Sequence, residues 1–107
     1  MSYPVGFSWT LSLAPGEPFE GEGGAATPED ARRALERAVE IHLRRVEDAE
    51  ERARITAAYV PKLGVWVVGP AARALKAGKS AAYTVPDELT VRVFPGPVVH
   101  PLDGLKL

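Results

Sequence analysis

The chain of 107 residues contains no cysteine, which excludes disulfides, thiolate metal ligands and thiol nucleophiles together and leaves the redox compartment open. Histidine is almost as scarce, with only His42 and His100. No basic residue precedes Arg32, and no uninterrupted apolar run is long enough for a signal peptide or a membrane span. A cytoplasmic location is the expectation. A strong charge of one sign is missing as well, since 13 bases against 14 acids leave a formal net charge of −1, and this argues against a general nucleic-acid binder. The balance is uneven along the chain: residues 1–26 hold three acids and no base, whereas residues 61–107 hold six bases and three acids. Opposite ends of this kind can steer a partner or another copy of the chain.

What is present begins with a strand. Tyr3, Val5, Phe7, Trp9, Leu11 and Leu13 are large and apolar, and the residues between them are small, a period of two with one buried face. The opposite face, Pro4, Gly6, Ser8, Thr10 and Ser12, carries no charge and so lacks the usual protection of an exposed sheet surface. Residues 14–27 read as a Gly-, Pro- and Glu-rich loop. Thr27 is a helix cap with Pro28 at the first position and Glu29 and Asp30 at the positive end of the dipole. An amphipathic stripe (Leu35, Val39, His42, Val46, Ala49, Ala53) then runs towards Tyr59, and Pro61 should stop it. At about 1.5 Å per residue this helix would span about 45 Å, so it should break near residues 47–54 or project beyond the sheet.

Leu63–Val68 reads as an interior strand, Pro70–Ala77 as two helical turns closed by Gly78, and Ser80–Val85 and Leu89–Phe94 as a hairpin turning at Pro86-Asp87. The sequence thus implies an α+β fold: about four strands in a mixed or antiparallel sheet, packed against one long amphipathic helix, in the order β-α-β-(short α)-β-β. Residues 1–95 form a single domain in this reading, and 96–107 form a proline-rich apolar arm, neither helix nor central strand. Its Val98, Val99, Leu102 and Leu105 must strap over the core or dock elsewhere.

Candidates for chemistry are few. Gly78-Lys79-Ser80 resembles the end of a phosphate loop, but Arg73 stands where a glycine is needed and the tripeptide ends a helix rather than opening one. Gly21-Glu22-Gly23-Gly24 precedes a helix, yet Glu17, Glu20 and Glu22 would repel an anion. His42, alone on an apolar stripe, reads as a packed residue with one hydrogen-bond partner. His100 and Asp103 do not make a closed metal site. The serines lack any triad motif, and the paired carboxylates lie on a solvated helix face. Arg73, Lys76, Lys79 and Arg92, beside Tyr83, could form a small basic patch.

Thr27-Pro28-Glu29-Asp30-Ala31 followed by Ala38-Val39-Glu40-Ile41-His42-Leu43 resembles the helix of HicB-type antitoxins, whose small domains carry a threonine-capped helix on a sheet. The likeness covers about seventeen residues. Further strands and a proline-glycine turn precede that helix in the family, where this sequence offers one strand and an acidic glycine loop. The resemblance implies a regulatory protein that binds a partner protein and nucleic acid, and it carries over no site residues.

The expectation is therefore a small non-enzymatic interaction or assembly module that needs no cofactor or metal and self-associates or joins a partner protein. Its candidate interface residues are Ser8, Thr10, Ser12, Ala53, Ala57, Val98, Val99, Leu102 and Leu105. The alternatives are an antitoxin-like regulator and a small ligand-binding or catalytic domain with a site between loop 14–27 and the sheet.

Overall fold

The computed structural model describes residues 2–99. Strands β1 (Ser2–Leu11) and β2 (Phe19–Ala25) form a hairpin, followed by helices α1 (Pro28–Leu43) and α2 (Ala49–Trp66). The second helix runs through a π-helical turn (Val67–Ala71) into a short helix α3 (Ala72–Lys76), and a second hairpin of β3 (Ala81–Val85) and β4 (Leu89–Val99) completes the fold. All pairings are antiparallel, in the order β2-β1-β4-β3. The class is α+β, with four antiparallel strands in one open sheet. The first and last strands sit side by side at its centre.

The order of elements differs from the sequence expectation at three places, each for a physical reason, and the long amphipathic stripe takes one of its two expected courses. Leu63–Val68 is helical, not a strand. Leu63, Val67 and Ala71 recur every four residues and are fully buried, while Val65 and Val68 point outward. A short apolar run does not reveal its period once it is cut at flanking prolines. Pro61 lies inside α2, and the carbonyl it leaves without a donor belongs to Ala57, an exposed residue that water can reach. Pro70 sits in the π-helical turn, whose wider ring relieves the clash between a proline and the preceding turn.

The second difference is that β2 occupies the middle of the expected loop. Phe19, Gly21, Gly23 and Ala25 face inward opposite Leu11, Trp9, Phe7 and Val5. Glycine is required there because β1 fills the space: an added Cβ would lie 2.3 Å from the Trp9 ring at Gly21 and 2.7 Å from the Phe7 ring at Gly23. Aromatic residues of one strand thus supply the apolar bulk for both.

The amphipathic stripe is two helices, the break being one of its two expected courses. The break falls at Arg44–Asp48, overlapping the start of the expected window, where Asp48 accepts a hydrogen bond from the Glu50 amide at 3.0 Å. Asp48 with Glu51 is a capping-box spacing. The second half folds back on α1 rather than projecting. Gly64 permits the close approach, since a Cβ there would meet the Glu36 carboxylate at 3.3 Å and the Arg32 chain at 3.4 Å.

Finally, β4 continues through Pro95 and Pro97 to Val99, so the start of the expected arm is strand. Both prolines lie beyond the reach of β3, whose last partner on β4 is Val93, so β4 has a free edge there on which proline is tolerated. Beside this stretch the pairing with β1 shifts between Tyr3 and Val5. Gly96 is pressed against the Tyr3 and Pro4 backbone, where a Cβ would lie 2.0 Å from the Tyr3 carbonyl oxygen. Tyr3 packs on Gly24, whose Cβ direction is opposite to that of Gly23, so this shift takes Tyr3 off the core face. Leu102 and Leu105 lie outside the described residues.

The core lies between the sheet and the helical hairpin. Val5, Phe7 and Leu11 of β1 and Leu89, Val91 and Val93 of β4 meet Leu35, Val39 and Leu43 of α1 and Leu63 and Val67. At about 25 cal/mol per Å² of buried apolar surface, this one layer of contact is the main source of stability.

Candidate interaction surfaces

His42, the residue most suited to chemistry by type, is fixed in a structural role. It is 1% exposed, and its Nε2 accepts hydrogen bonds from the backbone amides of Leu13 and Ala14 at 3.0 and 3.1 Å. The ring proton therefore resides on Nδ1, which finds no acceptor among the described residues. Burial, with the Arg45 guanidinium adding to it, holds the imidazole below its ordinary pKa. A neutral ring is what the two amides require. The sequence suggested one partner; the ring has two, and both tie the β1–β2 connection to the end of α1.

The ring also closes an aromatic ladder. Phe7 and Trp9 stack at 6.0 Å, Trp9 meets Phe19 at 6.0 Å, and Phe19 lies nearly parallel to His42 at 5.8 Å. Residues 19–25 of the expected loop are themselves a strand of the sheet, so the site expected between that loop and the sheet has no such boundary. Among the described residues no group of three His, Asp or Glu side chains is arranged to hold a metal, and none of the helices is long and apolar enough to cross a membrane.

The candidate interface residues are scattered. Ser8 and Thr10 are half-buried on the open face of the sheet, Ser12 donates its amide to the Glu88 carbonyl at 2.7 Å, and Ala53 and Ala57 are exposed on α2. The backbones of Val98 and Val99 pair with Tyr3 and Ser2. The uncharged row on β1 has a local explanation. Ser8 lies between Glu22 on one neighbouring strand and Arg92 on the other, and Glu20 stands beside Thr10. Charged residues of the flanking strands stand beside the small central ones, so that face has its charge after all. The basic patch divides as well. Arg73 and Lys76 lie on α3, whereas Arg92 alternates with the buried Val91 and Val93 and projects from the opposite face of the sheet.

A surface that the sequence reading overlooked is the outer side of α2 and its π-helical continuation. On α1, the exposed residues are Asp30, Arg33, Arg37, Glu40 and Ile41, charged but for the last. On α2 beyond Ile55, the exposed residues are Thr56, Ala57, Ala58, Pro61, Lys62 and Val65, with Val68 and Pro70 following in the π-helical turn, and Lys62 is the only charge among them. Val65 is 70% and Val68 44% exposed. No Asp or Glu occurs between Glu51 and Asp87, while Arg73, Lys76 and Lys79 follow in that interval. The signal was legible as an acid-free stretch, but its exposure depended on the run being helical.

The α1–α2 hairpin also bounds an open groove of about 660 Å³, with Val39, Leu43, Ala53 and Val60 as its apolar floor and Glu40 and Arg52 on its rim. It opens to solvent along the helices. The chain thus falls in the class of two-layer α+β proteins with an antiparallel sheet covered on one face by helices. Comparison with protein-family models, curated proteins and solved structures gives no match.

Proposed function

We propose that this chain is a non-enzymatic interaction and assembly module that docks a partner protein on the outer face of α2 and its π-helical turn. The observation that carries the reading is Val65, 70% exposed in the middle of a nearly uncharged helical face. A helix whose inner stripe is already buried gains nothing in folding from a second apolar stripe. The flanking bases Lys62, Arg73 and Lys76, with no acid among them, favour a partner that is apolar at its centre and acidic at its rim. Support for a role without chemistry comes from His42, engaged in holding a loop, and from Glu29, Glu36 and Glu51, each paired with an arginine on its own helix.

The test uses the absence of cysteine. A photo-crosslinker attached through Val65→Cys should yield a discrete protein adduct in the native host, and the adduct should vanish when Val68→Glu is added. Absence of an adduct, or one indifferent to Val68→Glu, would overturn the reading.

A further inference from the structure

The two edges of the sheet are treated differently. At the β2 edge Glu20 and Glu22 alternate with glycine, which discourages further pairing by charge and by weak strand propensity. The β3 edge, Ala81-Ala82-Tyr83-Thr84-Val85, has no charge, proline or glycine. Its residues point alternate N–H and C=O groups away from β4. Among the described residues, apart from the pairing with β4 and the bond from the Glu88 amide to the Val85 carbonyl in the turn, no backbone hydrogen bond reaches these groups. Lys79, two residues before the strand, and Asp87, in the tight turn that follows it, are both exposed.

We infer that β3 pairs antiparallel with β3 of a second copy, joining two four-stranded sheets into one continuous sheet about a two-fold axis at Tyr83. The register follows from the chain itself. With Tyr83 opposite its own copy, Ala82 faces Thr84, and the end of each β3 that carries Lys79 meets the turn of the other chain that carries Asp87, so opposite charges meet at both ends of the seam. A register shifted by two residues offsets these charges from one another. Tyr83 is backed by Trp66 at 5.6 Å, so the two-fold axis brings together aromatic side chains that are already held, a favourable cross-strand pair. Five residues at about 3.4 Å each give a seam of roughly 17 Å, small beside a standard interface. The pairing is accordingly a concentration-dependent equilibrium between monomer and dimer.

This inference rests on the reading of the chain as an assembly module but uses a different surface, so the two fail separately. Sedimentation across a concentration series should show a rise from monomer to dimer mass. Lys79→Glu, at an exposed position, should weaken dimerisation about tenfold by turning two attractions into repulsions, while Val65→Glu should leave it unchanged. On oxidation, Tyr83→Cys should form a symmetric disulfide. Should loss of the Trp66 contact compromise that variant, Ala82→Cys mixed with Thr84→Cys should give the mixed disulfide instead. A monomer at every concentration overturns the inference, as does a dimer that ignores Lys79→Glu and forms neither disulfide. Loss of the dimer in Val65→Glu would assign self-association to the helix and also overturn it.

Discussion

Helix α1 and helix α2 begin alike and end differently. Each starts with an oxygen-bearing cap, Thr27 or Asp48, and two acids in the first turn, and each buries a stripe against the same core. Their outer faces diverge: α1 alternates Asp, Arg and Glu, whereas α2 after Arg54 presents alanine, proline and valine around one lysine. Burial dictates the inner faces, so they converge; solvent tolerates many outer faces, so a departure from the charged norm there points to something other than folding.

That contrast can be broken most sharply from the inside. Leu35→Ala in α1 and Leu63→Ala in α2 should each cost about 2–5 kcal/mol, since both side chains are fully buried. Chemical denaturation of the two variants measures it, and a much smaller loss for Leu63 would mean that α2 packs less firmly than α1.

His42 is the next test, because α1 alone carries a buried polar anchor. His42→Ala should cost about 1–3 kcal/mol by leaving the Leu13 and Ala14 amides without their acceptor. The wild type should also lose stability in acid. The folded pKa is lowered, so the unfolded chain takes up the proton first. The contribution is complete above the unfolded value of about 6.5 and declines as pH falls below it towards the folded value. Melting curves across this range should show the decline in wild type and a shallower one in His42→Ala.

A smaller effect belongs to Arg32, which joins Glu29 and Glu36 on α1 and lies over Gly64 of α2. Arg32→Ala should lower the melting temperature only slightly, and less so in high salt, because the half-buried ion pairs remain open to solvent on one side. The smallest change in stability is expected at the outer face itself: Val65→Glu with Val68→Glu should alter it by no more than about 0.5 kcal/mol. A large loss there would mean that these valines serve the fold, and the contrast between the helices would lose its functional meaning.

Much of the architecture was legible in the residues. The period of two in β1 from Val5 to Leu11, the Thr27 cap and the β3–β4 hairpin with its turn at Pro86-Asp87 all appear where the pattern placed them, whereas Tyr3 leaves the core face and Leu13 lies beyond the strand. What was misread shares one cause. At β2, at Leu63–Val68 and at Pro95–Val99, the residue types favoured one structure locally while neighbours distant in sequence decided for another. Gly21 and Gly23 form a strand because Trp9 and Phe7 lie against them, Pro61 and Pro70 sit in a helix because its far side reaches solvent or widens, and Pro95 and Pro97 extend a strand because β3 ends before them. The candidate site suffered in the same way. Val65 and Val68 belonged to an apparent buried strand until the helix turned them outward, and Ser8 and Thr10 stood bare until Glu20, Glu22 and Arg92 were placed beside them.

The sequence by itself determined the class, the buried faces of β1 and α1, and the lack of thiol chemistry, since these follow from periodicity and residue type. Only the tertiary structure decided which small or apolar residues are covered and which edge of the sheet is open. Exposure is a property of neighbours, and in this chain the neighbours come from opposite ends: β1 and β4 pair at the centre, leaving β3 and the outer side of α2 uncovered among the described residues.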